Sequence, residues 1–359
     1  MSTPPASFSL FTSIRHDPAL RSSEENSSKI VSFCPSSPFY MLRYHRDRML
    51  EAAQHFEWTE VAKKLADGKA LEIVLNHEIE TWRSKNNDPK SPLKVRVLFN
   101  RGGAMQTDIN TTPPLQLSSL YPTTFTPPSP QPPPPAFAPS SKTGGALALG
   151  ADDALKPAAS PKTSWILTVD TAPTPTSPHT LLKTTNRAHY DAAKQRSVPD
   201  EAAVPAGGQL HEVLLWNSVG EMTEGSFTSA YFFRGGRWVT PPVGVPNNVS
   251  DDDGEAAVEK GKEEEDGAGT LEQVPRSVAD EGELREPFAG RWGHSIRSVK
   301  ATAVSGGQRG TTRRWALKKG LCMEEPVSRE TVKIGEEVWV SNGVRGFGLG
   351  RVVEAKKVE

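Results

Sequence analysis

Three short segments of this 359-residue chain carry side chains suited to one kind of chemistry. The first is Leu182-Lys183-Thr184-Thr185-Asn186-Arg187, continuing through Tyr190, where an irregular stretch gives way to a helical pattern. A deprotonated lysine amine attacks an aldehyde to form a Schiff base and, once displaced, can act as a general base. Taken alone, such a lysine is more often a surface charge. The second segment is Gly220-Glu221-Met222-Thr223-Glu224-Gly225-Ser226, between two strand-like runs. Glu224 could hold a proton on a ring nitrogen, although a lone glutamate there is more often a solvated turn carboxylate. The third runs from Ser305 to Arg314 and opens a helix at Thr311-Thr312. A Gly/Thr-rich helix start offers unpaired N–H groups and the positive end of the helix dipole to an anion. The same pattern also makes an ordinary capped helix.

In combination the three segments supply an amine, a carboxylate and a phosphate cradle. Those are the parts that pyridoxal 5'-phosphate requires. The carboxylate keeps the ring nitrogen protonated, so the ring can take up electrons from a carbanion. The cradle holds the phosphate at the far end of the ring, and Lys183 is the covalent attachment point.

The elements that must position these groups follow from periodicity. Residues 8–15 are rich in aromatic and β-branched types and read as a strand. Residues 41–57 read as an amphipathic helix with Leu42, His45, Met49, Ala52 and Phe56 on one face. A second helix over 69–83 presents Leu71, Val74, Leu75, Ile79 and Trp82. Residues 93–99 alternate like a half-buried strand, and Asn100-Arg101-Gly102-Gly103 marks a turn. From 113 to 139 proline supplies 11 of 27 residues. Proline fixes φ and removes a donor, so 111–161 is expected to be an exposed connector, extended or disordered. Strands are expected at 165–170, 211–216, 227–233 and 236–240, with turns at 217–220 and 234–236. Residues 251–266 hold nine acidic residues in sixteen and read as a solvated loop within an insertion at about 244–290. A helix from Thr311 to about Lys319, a strand at 337–341 and a Gly-rich ending complete the chain. The expected fold is α/β (α+β), with a small N-terminal domain over 1–110 and a larger one over 162–359. A cofactor would lie in the cleft between them.

Composition narrows the classes. The formal net charge of −1 gives no argument for nucleic acid or an anionic membrane surface. Two cysteines, Cys34 and Cys322, cannot make a disulfide framework and suit a reducing compartment. The N-terminus lacks the basic and apolar runs of a secretory signal, and no apolar run is long enough to span a bilayer. A cytoplasmic protein is the expectation.

The order and spacing of the segments resemble the fold-type IV pyridoxal-phosphate enzymes, which include branched-chain and D-amino-acid aminotransferases and 4-amino-4-deoxychorismate lyases. The matching segments are Phe11 to Arg15, Leu42 to Arg48, the Lys183 motif, Glu212 to Pro242 and Gly306 to Leu317. The resemblance implies that Lys183 forms the Schiff base and Glu224 faces the pyridinium nitrogen. It implies phosphate contacts from Arg43, Thr311 and Thr312. Some relatives add a Ser or Thr contact near the final strand, where this chain has Ser341-Asn342-Gly343.

Within that family the chain is most similar to the fungal 4-amino-4-deoxychorismate lyases, through Lys183 to Arg187 with Tyr190, Phe11 to Pro18, and Arg43 to Met49. The resemblance implies that 4-amino-4-deoxychorismate is converted to 4-aminobenzoate and pyruvate, a step of folate synthesis. Ser13 would protonate the departing group, at a position where the lyases commonly use threonine. Ser13 could equally be a strand residue facing solvent. Arg96 would hold the substrate carboxylate, with Arg101 and Arg15 as alternatives. A branched-chain or D-amino-acid aminotransferase would use the same lysine, carboxylate and cradle. A non-catalytic scaffold using its Pro-rich and acidic segments is the remaining reading. By analogy with the family, the chain would be a homodimer.

Overall fold

The computed structural model describes residues 8–128, 165–175, 177–200, 210–243 and 307–356. The acidic insertion and residues 129–161 of the expected connector lie outside the described residues.

The N-terminal layer is a three-stranded antiparallel sheet in the order β1-β2-β3. Its strands are β1 (Leu10–His16), β2 (Leu93–Phe99) and β3 (Met105–Thr111). Alternation in β2 sends Leu93, Val95, Val97 and Phe99 into the core and leaves Lys94 and Arg96 on the opposite face. Gly103, at φ +83°, makes the turn into β3, the polar edge strand. After the short helix α1 (Glu24–Ser27), three helices cover the apolar face: α2 (Leu42–His55), α3 (Thr59–Ala66) and α4 (Gly68–Asn86). Leu42, Met49, Ala52, Val61, Leu65, Leu71, Leu75 and Ile79 join Ile14, Val95 and Val97 in one core. Val74 does not belong to it. It is 44% exposed beside Ile73, because residues 71, 75 and 79 align at the helical repeat and 74 falls to the side.

The second layer is an eight-stranded mixed sheet, ordered β6-β5-β4-β11-β10-β7-β8-β9. Its strands are β4 (Trp165–Val169), β5 (Leu210–Trp216), β6 (Met222–Gly225), β7 (Ser229–Arg234), β8 (Arg237–Thr240), β9 (Met323–Glu324), β10 (Glu337–Asn342) and β11 (Gly346–Val352). Parallel pairs β4–β5 and β4–β11 sit at its centre. Around it lie α5 (Leu117–Leu120), α6 (Pro178–Leu181), α7 (Ala188–Arg196) and α8 (Thr311–Lys318).

The stretch expected to be an exposed connector begins as a packed one. Leu120, Tyr121 and Phe125 are buried, and Phe125 stacks on Trp339 at 5.1 Å between centroids. They share a core with Leu20, Tyr40 and Tyr44 from the N-terminal layer and with Tyr231, Trp315 and Phe347 from the large sheet. Prolines here end helices and strands without excluding the aromatic residues between them from the interior.

The layers also meet through backbone. One edge of β1 pairs with β2, and the other edge is bonded by two distant segments. Phe11 donates its N–H to the Lys183 carbonyl (3.1 Å), and Thr185 donates to that of Ser9 (2.9 Å). Farther along, Arg15 donates to the Gly343 carbonyl (2.9 Å). Among the described residues no helix is long and apolar enough to cross a membrane.

Candidate active site

A cavity of about 580 Å³ lies where β1 and β2 face α8, β7 and the β10–β11 turn. Its lining brings together Lys183, Glu224, Thr311, Thr312, Ser13 and Arg96. These six come from five separate stretches of the sequence.

Lys183 reaches this cavity because its own carbonyl is tied to β1. Its Nζ lies 5.4 Å from the centroid of the Phe11 ring. Burial, followed by the Arg187 and Arg48 charges, pushes the amine from 10.5 down to about 7, against the pull of Glu224 and Glu212. A substantial fraction of this lysine is therefore neutral near pH 7, as a nucleophile or base must be.

Glu224 sits on β6 with both oxygens engaged. Oε1 accepts from the Tyr190 hydroxyl (2.6 Å) and Oε2 from the Gln308 N–H (3.1 Å). Gln308 also donates its side-chain amide to the Tyr190 oxygen (2.8 Å). Burial raises the Glu224 carboxyl, and the Tyr190 hydrogen bond and Lys183 act to lower it. Tyr190 is held in turn by Arg187, whose guanidinium lies 4.2 Å from the ring centroid and donates to the Ser226 carbonyl (2.6 Å). Behind the turn that follows β6, buried Glu212 accepts from the Ser226 N–H (2.9 Å) and hydroxyl (2.6 Å), and from the Thr228 hydroxyl (2.7 Å). A Cβ at Gly225 would come within 2.2 Å of the Thr228 hydroxyl, so the turn needs glycine there.

The first turn of α8 faces the cavity through Thr311 and Thr312. Gly310, its N-cap, offers no side-chain cap, and the first-turn N–H groups have no intrahelical acceptor. A Cβ on Gly310 would stand 2.2 Å from the Ser229 hydroxyl, so glycine lets the helix start press against β7. Ser341 donates to the Thr312 hydroxyl (2.8 Å) and is itself 2.8 Å from the Tyr231 hydroxyl. Gly343 packs against His45, where a Cβ would come within 2.4 Å of the imidazole.

The arginine expected at the phosphate is corrected by the structure. Arg43 lies outside the cavity lining, with its guanidinium 5.0 Å from the Phe33 ring centroid. Arg48, on the same helix, lines the cavity instead. The reason is helical geometry. His45 and Arg48 are three residues apart on the buried face, whereas Arg43 is two residues before His45 and points elsewhere. Arg48 donates to the Thr12 hydroxyl (2.8 Å), which is 2.7 Å from His45 Nδ1. Burial lowers the Arg48 guanidinium from its ordinary value to about 10, which leaves it charged at neutral pH. His45 is driven well below 6.5 by burial and then by Arg48 and Lys183, so it is neutral.

Ser13 and Arg96 are direct cross-strand partners in the β1–β2 register, and both face the cavity. Of the three arginines considered for a carboxylate, only Arg96 does so. Arg15 is buried in a pair with Asp17 (2.7 Å), and Arg101 is exposed in the β2–β3 turn. Arg96 lies 4.8 Å from the Phe11 ring centroid and makes only a 3.8 Å ion pair with Asp108. Sequence reasoning missed Arg48, Lys94, Gln308 and Arg345, which also line the cavity. It quoted Arg187 and Tyr190 without giving them a place. Among the lining residues, Glu224 is the only carboxylate against six cationic side chains.

These groups fit pyridoxal 5'-phosphate. Lys183 offers a neutral amine, and Glu224 a carboxylate already fixed by two donors. Thr311, Thr312 and Arg48 offer donors and positive charge for a phosphate.

Comparison with known proteins follows the same line. The class IV aminotransferase family profile matches residues 33–245. No curated protein matched the sequence. Among solved structures, the chain is similar to a provisionally described amino-acid aminotransferase from Mesorhizobium loti. The identity is 15%, with 96% of this chain and 100% of that one covered and a TM-score of 0.49. It is similar to the fold IV transaminase CpuTA1 from Curtobacterium pusillum at 12% identity, covering 98% and 81%, with a TM-score of 0.47. It is also similar to a provisionally described 4-amino-4-deoxychorismate lyase from Legionella pneumophila at 11% identity, covering 98% and 86%, with a TM-score of 0.45. With its profile matched across more than half of the sequence, the chain belongs to the class IV aminotransferase family, whose members use pyridoxal 5'-phosphate.

Proposed function

We infer that this chain is a lyase that converts 4-amino-4-deoxychorismate to 4-aminobenzoate and pyruvate. The observation that carries the reading is the pairing of Ser13 with Arg96 in the cavity of Lys183. A hydroxyl proton donor beside a carboxylate anchor suits a carboxylate-bearing substrate that must lose an oxygen-linked leaving group. Transamination moves an amine between carbons and has no leaving oxygen to serve.

When bound, the cofactor supplies an electron sink next to the substrate amine. The protein's part is proton traffic and orientation. Arg96 holds the ring carboxylate and fixes the substrate over Lys183. Lys183, with its amine near neutrality, takes the proton from the amine-bearing carbon. The bond from the neighbouring ring carbon to the enolpyruvyl oxygen then breaks, and the ring becomes aromatic. Ser13 delivers a proton to the departing three-carbon unit, which leaves as pyruvate. One proton is removed and one returned, so no water, oxidant or 2-oxo acid is consumed.

The test is a pair of substitutions at one atom. Ser13→Ala should lower lyase turnover by roughly 10²–10⁴-fold, the range for a lost general acid. Ser13→Thr, which restores a hydroxyl, should recover most of it. Full activity in Ser13→Ala would remove Ser13 from the reaction and, with it, the observation favouring the lyase.

A further inference from the structure

The cationic lining of the cavity exceeds what one phosphate and one carboxylate require. Two of its members are far from Lys183 along β1. Lys183 is bonded to the strand at Phe11 and Gly343 at Arg15. Four residues of strand separate those levels, a distance of about 13 Å. At the Arg15 level, Lys94 stands across from Arg15 in the β1–β2 register. Arg15 also donates to the carbonyls of Pro113 (3.0 Å) and Val344 (3.4 Å). It thereby clamps together the segment leaving β3 and the β10–β11 turn. Lys94, Pro113, Val344 and Arg345 all line the cavity.

Arg345 leads out of that turn. Its N–H and that of Val344 are both capped by the Asn342 side-chain oxygen, at 2.9 and 3.0 Å. The backbone is thus fixed while the side chain stays half-buried against the cavity. Among the described residues no carboxylate forms an ion pair with Arg345 or Lys94. Holding half-buried Arg345 at the cavity wall with no carboxylate in an ion pair is unfavourable unless an anion arrives, and exposed Lys94 adds a second charge to the same lining.

We propose that Arg345 and Lys94 form a second anion subsite, which selects a substrate carrying a carboxylate remote from the one held by Arg96. This deepens the reading of the chain as a lyase and rests on it for the identity of the ligand, because the enolpyruvyl ether bears such a second carboxylate. Arg15 is a positioning residue for the subsite, through its hold on both segments.

Binding of unreactive anions to the cofactor-loaded protein tests the subsite apart from the reaction. The probes are 3-(carboxymethoxy)benzoate, a ring with a second carboxylate on an ether arm, and 3-methoxybenzoate, which lacks it. Neither has an amine to react. Calorimetric titration should show the dianion binding roughly 10- to 100-fold more tightly, the range for a charged hydrogen bond. Arg345→Gln should abolish most of that advantage while leaving the monoanion unchanged, and Arg345→Lys should restore part of it. Arg101→Gln, which removes an exposed charge outside the cavity, should change neither. An equal loss in Arg101→Gln, or a full advantage retained in the Arg345→Gln/Lys94→Gln double variant, would overturn the subsite. So would equal binding of both probes to the wild type. An unchanged visible spectrum of the bound cofactor shows that each variant is folded. Dianion selectivity that depends on Arg345 in a protein without lyase activity would sink the lyase reading and leave the subsite standing.

Discussion

Replacing Lys183 with methionine should stabilise the cofactor-free protein, by an amount that shrinks as pH rises. Burial, with help from Arg187 and Arg48, brings the folded amine from 10.5 down to about 7. In the unfolded chain it titrates at its ordinary value. Between the two, the unfolded chain binds a proton that the folded chain does not. The lysine's contribution to wild-type stability therefore improves as pH rises through this window, and below about 7 its penalty is at full size. At about 1.4 kcal/mol per pH decade, the penalty is roughly 4–5 kcal/mol at pH 7 and roughly 2 kcal/mol at pH 9. Methionine fills similar space without the ammonium. Urea unfolding of both proteins, followed by tryptophan fluorescence at the two pH values, reads the difference. Other titrating groups are common to both chains and cancel, except Glu224, which loses the lowering effect of Lys183 in the variant. A carboxyl raised in the folded state loses stability as pH rises, so this change does not oppose the narrowing. The variant's lead should narrow by roughly 2–3 kcal/mol between pH 7 and 9. A lead that is absent, or equal at both pH values, would refute the reasoning that burial holds this amine near neutrality.

Arg48→Gln should weaken cofactor binding by roughly tenfold or more, the worth of one charge-assisted contact, whereas Arg43→Gln should leave it unchanged. A titration followed by cofactor absorbance decides, and the reverse order would return the phosphate contact to Arg43. Tyr190→Phe removes the 2.6 Å bond to Glu224 and leaves the Gln308 amide without that acceptor. It should raise the Glu224 carboxyl and shift the acid limb of the activity profile to higher pH; an unmoved limb would mean that Tyr190 does not set the carboxylate. Glu324→Ala removes the carboxylate that buried Arg313 bonds at 2.5 Å, while the Arg313 bond to the Pro241 carbonyl (2.8 Å) is kept. The loss should be roughly 3–5 kcal/mol in urea unfolding, and a loss below about 1 kcal/mol would show the pair to be dispensable.

How much of this was legible in the sequence depended on whether the signal was local. Lys183, Glu224 and Thr311-Thr312 stood out because each sits in a short pattern with its own chemistry, and the structure brings all of them to one cavity. The Arg43 error was avoidable. The helix face marked by Leu42, His45 and Met49 continues through Arg48, one turn beyond His45. Strand β3 left little trace, since Met105-Gln-Thr-Asp-Ile-Asn-Thr111 is an edge strand with no buried face to impose alternation. The density of proline hid Leu120, Tyr121 and Phe125, whose burial depends on Trp315, Trp339 and Phe347 about 200 residues away. Arg345 and Lys94 could not be paired from sequence at all. Lys94 is placed by the β1–β2 register opposite Arg15, and the buried Arg15 guanidinium ties the turn that carries Arg345 to the same strand.

The central claim is that the site eliminates pyruvate from an aminated, non-aromatic ring. The most direct measurement is incubation of the yellow, cofactor-loaded protein with 4-amino-4-deoxychorismate and no 2-oxo acid, followed by chromatography. The account predicts equal amounts of 4-aminobenzoate and pyruvate, and none of either from Lys183→Ala. Loaded wild-type protein that yields neither product, yet exchanges amines between an amino acid and a 2-oxo acid, would contradict it.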